Sequence, residues 1–333
     1  MMDVILLSHG AGGREMGELI RRVFLSAYGP ADYAADDSAV LHLTGGRVAF
    51  TTDSFVVSPL FFPGGDIGRL AVAGTVNDLL TAGARPLALA ASFILEEGLP
   101  VETLSRITAS MAATARECGV SIVTGDTKVV PRGAADQVFI TTAGVGEILS
   151  PGISGSALMP GDVVLLSGTV GDHGATVMLA REGLLEGVEL QSDTAPLTGM
   201  VLGLLSAGLS IHAMRDPTRG GVAAALNELA RQSQVAIEVE EDRIPITPAV
   251  AAACEALGLE PLQVANEGKM IVVLPEAQAD AALQIMRQSP YGEKAARIGR
   301  VLEGPPGRVV LRTGLGTSRL LESPAGELLP RIC

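Results

Sequence analysis

Five aspartates occupy similar positions along this chain: Asp37 in Ala-Asp-Asp-Ser, Asp53 in Thr-Thr-Asp-Ser, Asp78 in Val-Asn-Asp-Leu, Asp126 in Thr-Gly-Asp-Thr-Lys and Asp216 in Arg-Asp-Pro-Thr-Arg-Gly-Gly. Most stand where an apolar stretch gives way to a turn, which brings a carboxylate out at a sheet edge. Hard oxygen donors in such number suit Mg2+ carrying the phosphates of a nucleotide. Two carboxylates held ~4 Å apart repel by about 1–4 kcal/mol depending on the local dielectric, and a cation offsets that repulsion. Taken singly, each Asp is better read as a turn former or helix cap. Taken as five similar contexts, they point to metal.

Glycine-rich turns supply the other half of a phosphate site. In Ser8-His9-Gly10-Ala11-Gly12-Gly13 the glycines at 10, 12 and 13 let backbone N–H groups approach an anion, and a helical pattern follows. The loop matches neither the Walker nor the dinucleotide pattern, and a plain strand-to-helix turn looks much the same. Arg215-Asp216-Pro217-Thr218-Arg219-Gly220-Gly221 places two arginines and a Gly-Gly step before an Ala-rich helix, which fits a phosphate clamp at a helix N-terminus. Its alternative is a turn capped by Thr218. Glu267 in Asn-Glu-Gly-Lys and Lys128 after Asp126 are, on their own, ordinary surface charges. His173, in Gly-Asp-His-Gly, touches ligand or caps a helix about equally well, while His42 and His212 carry no signal.

Three cysteines, Cys118, Cys254 and Cys333, offer neither a disulfide framework nor a zinc pair. Cys118 and Cys254 fall in Ala-rich helical patterns and read as buried small hydrophobes. Cys333 follows a segment without periodicity, residues 313–333. A tail of about 20 residues reaches roughly 65 Å when extended. Such a thiol can enter a pocket on its own chain or be presented to another protein, and an exposed thiol carries an oxidation risk that argues against accident.

The elements that must position these groups alternate helix and strand. The first half reads as a strand at Val4 to Leu7, a helix from about Arg14 to Tyr28, a hairpin of Ala39 to Leu43 and Arg47 to Thr52, and a helix from Ile67 to Ala82. A buried strand from Leu87 to Leu95 and an amphipathic helix from Val101 to Cys118, stopped by Gly119, come next. Strands near Val120 to Val130 and Gln137 to Glu147 complete this half. The Gly/Pro/Ser-rich run 150–156 is the boundary. The second half gives a strand from Val163 to Ser167 and helices near His173 to Glu182, Pro196 to Ala207, Gly221 to Gln232 and Thr247 to Leu257. Its further strands fall near Val235 to Val239, Met270 to Leu274, Ala295 to Val301 and Arg308 to Leu311. The reading is two α/β domains, 1–150 and 151–312, each one sheet partly covered by helices, followed by a mobile tail, 313–333.

Composition narrows the partners. With 333 residues, 47% of them apolar and 18% charged, the chain has a sizeable core built from Ala, Val, Leu and Ile, since aromatics make up only 3%. A net charge of −13 argues against nucleic acid and against an anionic membrane surface. No apolar run is long enough to span a bilayer, and the N-terminus has no basic stretch ahead of its apolar residues. The expected location is the cytoplasm.

Together the Ser8–Gly13 loop, Asp53 in its context, Val76-Asn77-Asp78-Leu79, Thr124 to Lys128, Gly171-Asp172-His173-Gly174, Met214 to Gly221, Asn266-Glu267-Gly268 and the final Pro330-Arg331-Ile332-Cys333 resemble the HypE family of hydrogenase maturation factors, the carbamoyl dehydratases. This family lies within the aminoimidazole ribonucleotide synthetase superfamily, with selenophosphate synthetase and thiamine monophosphate kinase. The resemblance runs end to end. It implies an α+β type of α/β fold, each domain a mixed or antiparallel sheet with helices, and a homodimer joined through the first domains' sheets. It implies ATP and Mg2+ as cofactors. Asp37, Asp53, Asp78, Asp126 and Asp216 would hold metal and phosphates. His9, Gly10, Gly12, Gly13, Asn77, Asp78, Thr127, Lys128, Arg219 and Gly220 would line the nucleotide. Cys333 would carry a carbamoyl group placed there by a HypF carbamoyltransferase. ATP-driven dehydration would turn that group into a thiocyanate, with Glu267 as base and Lys128 near the γ-phosphate, and the cyano group would pass to iron on a HypC–HypD complex for [NiFe]-hydrogenase. A small-molecule kinase on the same scaffold and a scaffold whose C-terminus docks into a partner are the alternatives.

Overall fold

Strand-forming stretches separated by turns build two large sheets and a two-stranded pair in the computed structural model, which describes residues 14–19, 21, 36, 39–43 and 46–324. In chain order the first half contains α1 (Arg14–Leu19), β1 (Ala39–Leu43), β2 (Gly46–Phe55), β3 (Phe61–Phe62), β4 (Gly65–Asp66), α2 (Ile67–Thr81), β5 (Ala84–Glu96), α3 (Val101–Cys118), β6 (Ser121–Val130) and β7 (Val138–Ile148). Its sheet runs β1-β2-β7-β5-β6. The β1–β2 hairpin pairs Ala39 with Phe50 and Leu43 with Gly46, as expected for the strands Ala39 to Leu43 and Arg47 to Thr52. Only β5 and β6 are parallel, and their connection runs through α3. That helix ends as expected at Gly119, which takes the left-handed conformation at φ 72°.

Helix α2 is the hinge of the architecture. It begins at Asp66, whose carboxylate accepts the N–H groups of Gly68 at 2.7 Å and Arg69 at 3.1 Å. Its residues are buried all round apart from Arg69 and Asp78, so the helix must be covered on nearly every side. One side packs on β2 and β7, and the other meets the second half of the chain.

That second half contains β8 (Asp162–Leu166), α4 (Asp172–Arg181), α5 (Thr198–Ser206), β9 (Ala213–Arg215), α6 (Gly221–Gln232), β10 (Ala236–Glu240), α7 (Pro248–Leu257), β11 (Ile271–Pro275), α8 (Ala279–Gln288), β12 (Ala296–Leu302), β13 (Arg308–Arg312) and β14 (Ser318–Leu320). The sheet order is β14-β13-β10-β12-β8-β11-β9, with β10 and β13 parallel and the other neighbours antiparallel. Strands β8 and β11 are buried on both faces, which explains their unbroken apolar runs. Both halves are therefore sheets with helices, of the mixed kind the resemblance implies.

Five strands and helices were not expected: β3 and β4, which pair with each other, together with α8, β9 and β14. Helix α8 buries Ala279, Ala282, Leu283 and Met286, a 3–4 spacing hidden among small and polar residues. Strand β9 is too short to show a period. Strand β14 corrects the expected tail: Thr313 N–H bonds to Thr317 O at 2.8 Å, the chain reverses, and Ser318–Leu320 pair with β13 by backbone alone, their side chains exposed. Leu321 is then buried at 1% exposure. The expected strand at Val4 to Leu7 and the tail beyond Pro324 lie outside the described residues. Among the described residues, no helix is long and apolar enough to cross a membrane.

Candidate active site

The end of β2, one face of α2, the loop after β9 and the turn before β11 converge on a cleft of about 210 Å3. Asp53, Asp78, Asp216, Arg219 and Glu267 line it, with Thr51, Thr52, Ser54, Gly74 and Thr218. Gly74 and Asp78 are one turn apart on α2 and so share a face. Gly74 has no side chain because a methyl there would lie 3.0 Å from the Phe55 ring. Thr51 Oγ1 donates to Asp78 Oδ2 at 2.9 Å, tying the helix face to β2.

The clamp motif folds as its glycines require. Gly220 and Gly221 take left-handed backbone at φ 76° and 63°, and a methyl on Gly221 would stand 2.5 Å from Leu262 O. The chain thereby turns sharply into α6, leaving Thr218 and Arg219 just ahead of a helix N-terminus, where anions are favoured. Of the two arginines only Arg219 lines the cleft. Arg215 is turned to Glu228, Nη2 to Oε2 2.5 Å.

Charge in the cleft is mostly negative and partly dry. Glu267 is 4% exposed and Asp216 8%. Burial pushes the Asp53 carboxyl above its ordinary range, against the opposing pull of the Arg219 guanidinium and of the Ser54 N–H, which it accepts at 2.7 Å. Among the described residues no three such groups close on one point to make a protein cage for a metal. Asp53, Asp78 and Asp216 fit instead an ion held by one or two carboxylates and completed by a nucleotide's phosphates, the usual manner of Mg2+.

Other expected residues lie elsewhere. Asn77 does not reach the cleft. Its amide is buried at 1% exposure, donating to Ala195 O at 3.0 Å and accepting Leu197 N–H at 2.9 Å, so it bolts α2 to the second half of the chain. Asp126, Thr127 and Lys128 sit on β6, the exposed edge strand, where Lys128 Nζ meets Asp126 Oδ2 at 2.5 Å. Within one chain they are not brought to the cleft. The spacing Asp-Thr-Lys gives no hint of this, because edge position is a property of the sheet. His173 is fully buried, with Nδ1 2.8 Å from Ser192 Oγ and its ring edge-on to Phe62, so it neither lines the cleft nor caps a helix, the N-cap of α4 being Gly171. His9, Gly10, Gly12, Gly13, Asp37 and Cys333 lie outside the described residues.

The sequence reading overlooked the hydroxyls of β2. Thr51, Thr52 and Ser54 flank Asp53, and their number around one carboxylate was the available signal. It also overlooked a second cavity, of about 480 Å3, lined among others by Arg69, Thr169, Asp193, Lys269, Tyr291 and Lys294.

Comparison with known proteins fits this geometry. Residues 35–148 match the model of the AIR synthase related protein N-terminal domain, and residues 159–312 that of the C-terminal domain. The carbamoyl dehydratase HypE of Rhizobium leguminosarum bv. viciae is 52% identical over 98% of this chain and 94% of its own length. A crystal structure of the hydrogenase maturation protein HypE in complex with ATP superposes with a TM-score of 0.84 at 50% identity, covering 99% of this chain and 100% of that one. HypE in a crystal structure of a HypE–HypF complex gives 0.87 at 48% identity, over 92% and 99%. End-to-end identity at this level, on the same two-domain fold, places the chain in the carbamoyl dehydratase HypE family.

Proposed function

We propose that this protein is a cytoplasmic ATP-dependent enzyme that dehydrates a carbamoyl group carried on the Cys333 sulfur to a thiocyanate, the source of cyanide ligands for the iron of [NiFe]-hydrogenase. The observation that carries the reading is the meeting of a buried glutamate, Glu267, with Asp53, Asp78, Asp216 and Arg219 in one cleft, in a chain half identical to a relative crystallised with ATP.

Bound Mg-ATP supplies a phosphoryl group that converts the amide oxygen, a poor leaving group, into phosphate, a good one. The protein's task is positioning and electrostatics. Asp53, Asp78 and Asp216 hold the metal side, while Arg219 and the N-terminus of α6 meet developing negative charge. Glu267, shielded from water, takes the amide N–H proton as the C–O bond breaks. One thiocarboxamide and one ATP give one thiocyanate, ADP, phosphate and a proton, with the amide oxygen leaving in the phosphate. Lys128, outside the cleft of its own chain, serves a site completed by the edge strand of a second copy in a homodimer. The two partners are those the resemblance implies: a HypF carbamoyltransferase loads the thiol, as the solved relative's complex supports, and a HypC–HypD complex takes the cyano group.

The mass of Cys333 tests the reading. After incubation with the carbamoyltransferase it should gain a carbamoyl group, and after Mg-ATP lose one water. A carbamoylated chain unchanged by Mg-ATP overturns the mechanism. Phosphorylation of a small molecule that persists in Cys333→Ser would favour a kinase instead.

A further inference from the structure

The turn that presents Glu267 is gripped from behind by a residue the reaction does not otherwise use. Asp193 lies in the extended segment between α4 and α5, its side chain only 4% exposed. One carboxylate oxygen, Oδ1, accepts the backbone N–H of Glu267 at 3.0 Å. The other, Oδ2, faces the ammonium of Lys269 at 3.0 Å, itself 8% exposed. One buried carboxylate thus holds the positions either side of Gly268. Gly268 has no freedom to compensate, since a methyl there would lie 1.9 Å from Asp193 O and 2.8 Å from Ala195 N. The preceding position is fixed too: Asn266 Nδ2 donates to Pro217 O at 2.9 Å, and its Oδ1 accepts Gly171 N–H at 2.7 Å. The segment carrying Asp193 is in turn bolted to α2 by Asn77 through Ala195 and Leu197. A continuous chain of buried contacts therefore runs from the helix carrying Asp78 to the turn carrying Glu267, and Asp193 is its last link.

We infer that Asp193 is the positioning residue of Glu267: its Oδ1, which accepts the Glu267 N–H while Oδ2 is held opposite Lys269, sets where the glutamate stands relative to the metal-side carboxylates. This rests on the role given to Glu267 above. Removing one partner of a buried ion pair strands the other in a poorly solvated place, so the link depends on the pair. Displacing a catalytic group by 1 Å costs about 100-fold in rate.

The test uses full-length protein, carbamoylated on Cys333 and mixed with excess Mg-ATP in a single turnover. Asp193→Ala should slow loss of water about 100-fold while leaving ATP affinity unchanged. In a double variant, Asp193→Asn with Lys269→Met, the neutral amide still accepts the Glu267 N–H and no buried charge is stranded. It should recover most of the rate that Asp193→Ala loses. Amide exchange at Glu267 supplies a readout independent of turnover, slow in the wild type and the double variant and faster in Asp193→Ala. Glu267→Gln is run alongside. If it is inactive while Asp193→Ala keeps the full rate, the positioning role is wrong. It is equally wrong if Asp193→Ala and the double variant lose activity, ATP binding and melting temperature together, because that marks a merely structural residue. Full activity in Glu267→Gln removes the base assignment itself, and the positioning role with it.

Discussion

Glu267 and Asp53 are both carboxylates in the same cleft, yet burial serves them differently. Glu267 sits where water is excluded, which suits a base that must act on an amide N–H. Glu267→Gln should lower kcat by about 10²–10⁴-fold, the usual worth of a positioned base, with ATP binding retained by calorimetry; an unchanged kcat would remove it from the reaction. Asp53 has a carboxyl raised above its unfolded value, chiefly by burial. A raised folded value means that the ionised form is the penalised one, so its contribution to stability is complete below the unfolded value, about 3.9, and is lost as pH rises through the folded value. Asp53→Asn should therefore melt higher than the wild type at neutral pH, with the difference vanishing in acid, while activity falls. A melting temperature lowered by the substitution at neutral pH would show Arg219 outweighing burial. The thiols divide in the same way. Burial pushes Cys118 up to about 12 and Cys254 to about 11, so iodoacetamide at about pH 8 should leave both unmodified in the native protein. An adduct at either, seen by peptide mass, contradicts their packing.

Among the elements, the α6 N-terminus and β14 matter most to the proposed chemistry. Gly221→Ala places a methyl 2.5 Å from a backbone carbonyl at a positive φ. It should cost about 1–3 kcal/mol of stability and weaken nucleotide binding, because Arg219 moves with the turn. Normal stability by denaturant melting would mean that the turn can open freely. Midway along α6, Asn227 Nδ2 donates to Leu321 O at 2.7 Å, and Leu321 N–H bonds to Val309 O at 3.0 Å. The chain leading to Cys333 is thus rooted at Leu321, on the same helix whose N-terminus borders the cleft. The 12 residues after Leu321 span at most roughly 40 Å, against roughly 65 Å for a tail free from residue 313.

At the scale of the whole molecule, helix α2 joins the two halves. It is covered by the first sheet on one side and by α5 and β9 on the other, so the cleft exists only when both halves are folded. Lys128 and Asp126 stand on an edge strand whose side chains are exposed. If a second copy covers that edge and the cleft takes Lys128 across it, inactive Lys128→Met and inactive Glu267→Gln chains should complement. Random mixing leaves about a quarter of the sites intact in a two-fold dimer, and a mixture as inactive as its components would deny the shared site.

Asp53, Asp78, Asp216 and Arg219 were legible as candidates for a phosphate-and-metal set because strand ends and glycine turns advertise where side chains leave a core, whereas Glu267 read on its own as a surface charge and entered only through the resemblance. Most strands and helices were legible because burial on one face imposes a period. That Asn77 is a bolt rather than a ligand, that Lys128 lies on an open edge, that Ser318–Leu320 are sheet rather than tail, and that Asp193 stands behind Glu267 were not legible. Each depends on contacts across scores of residues, between groups whose chemistry is the same wherever the chain places them. Sequence alone determined which chemistry this protein can perform; packing decided which residues are close enough to take part, because reach falls off within a few ångströms and only the fold sets distance.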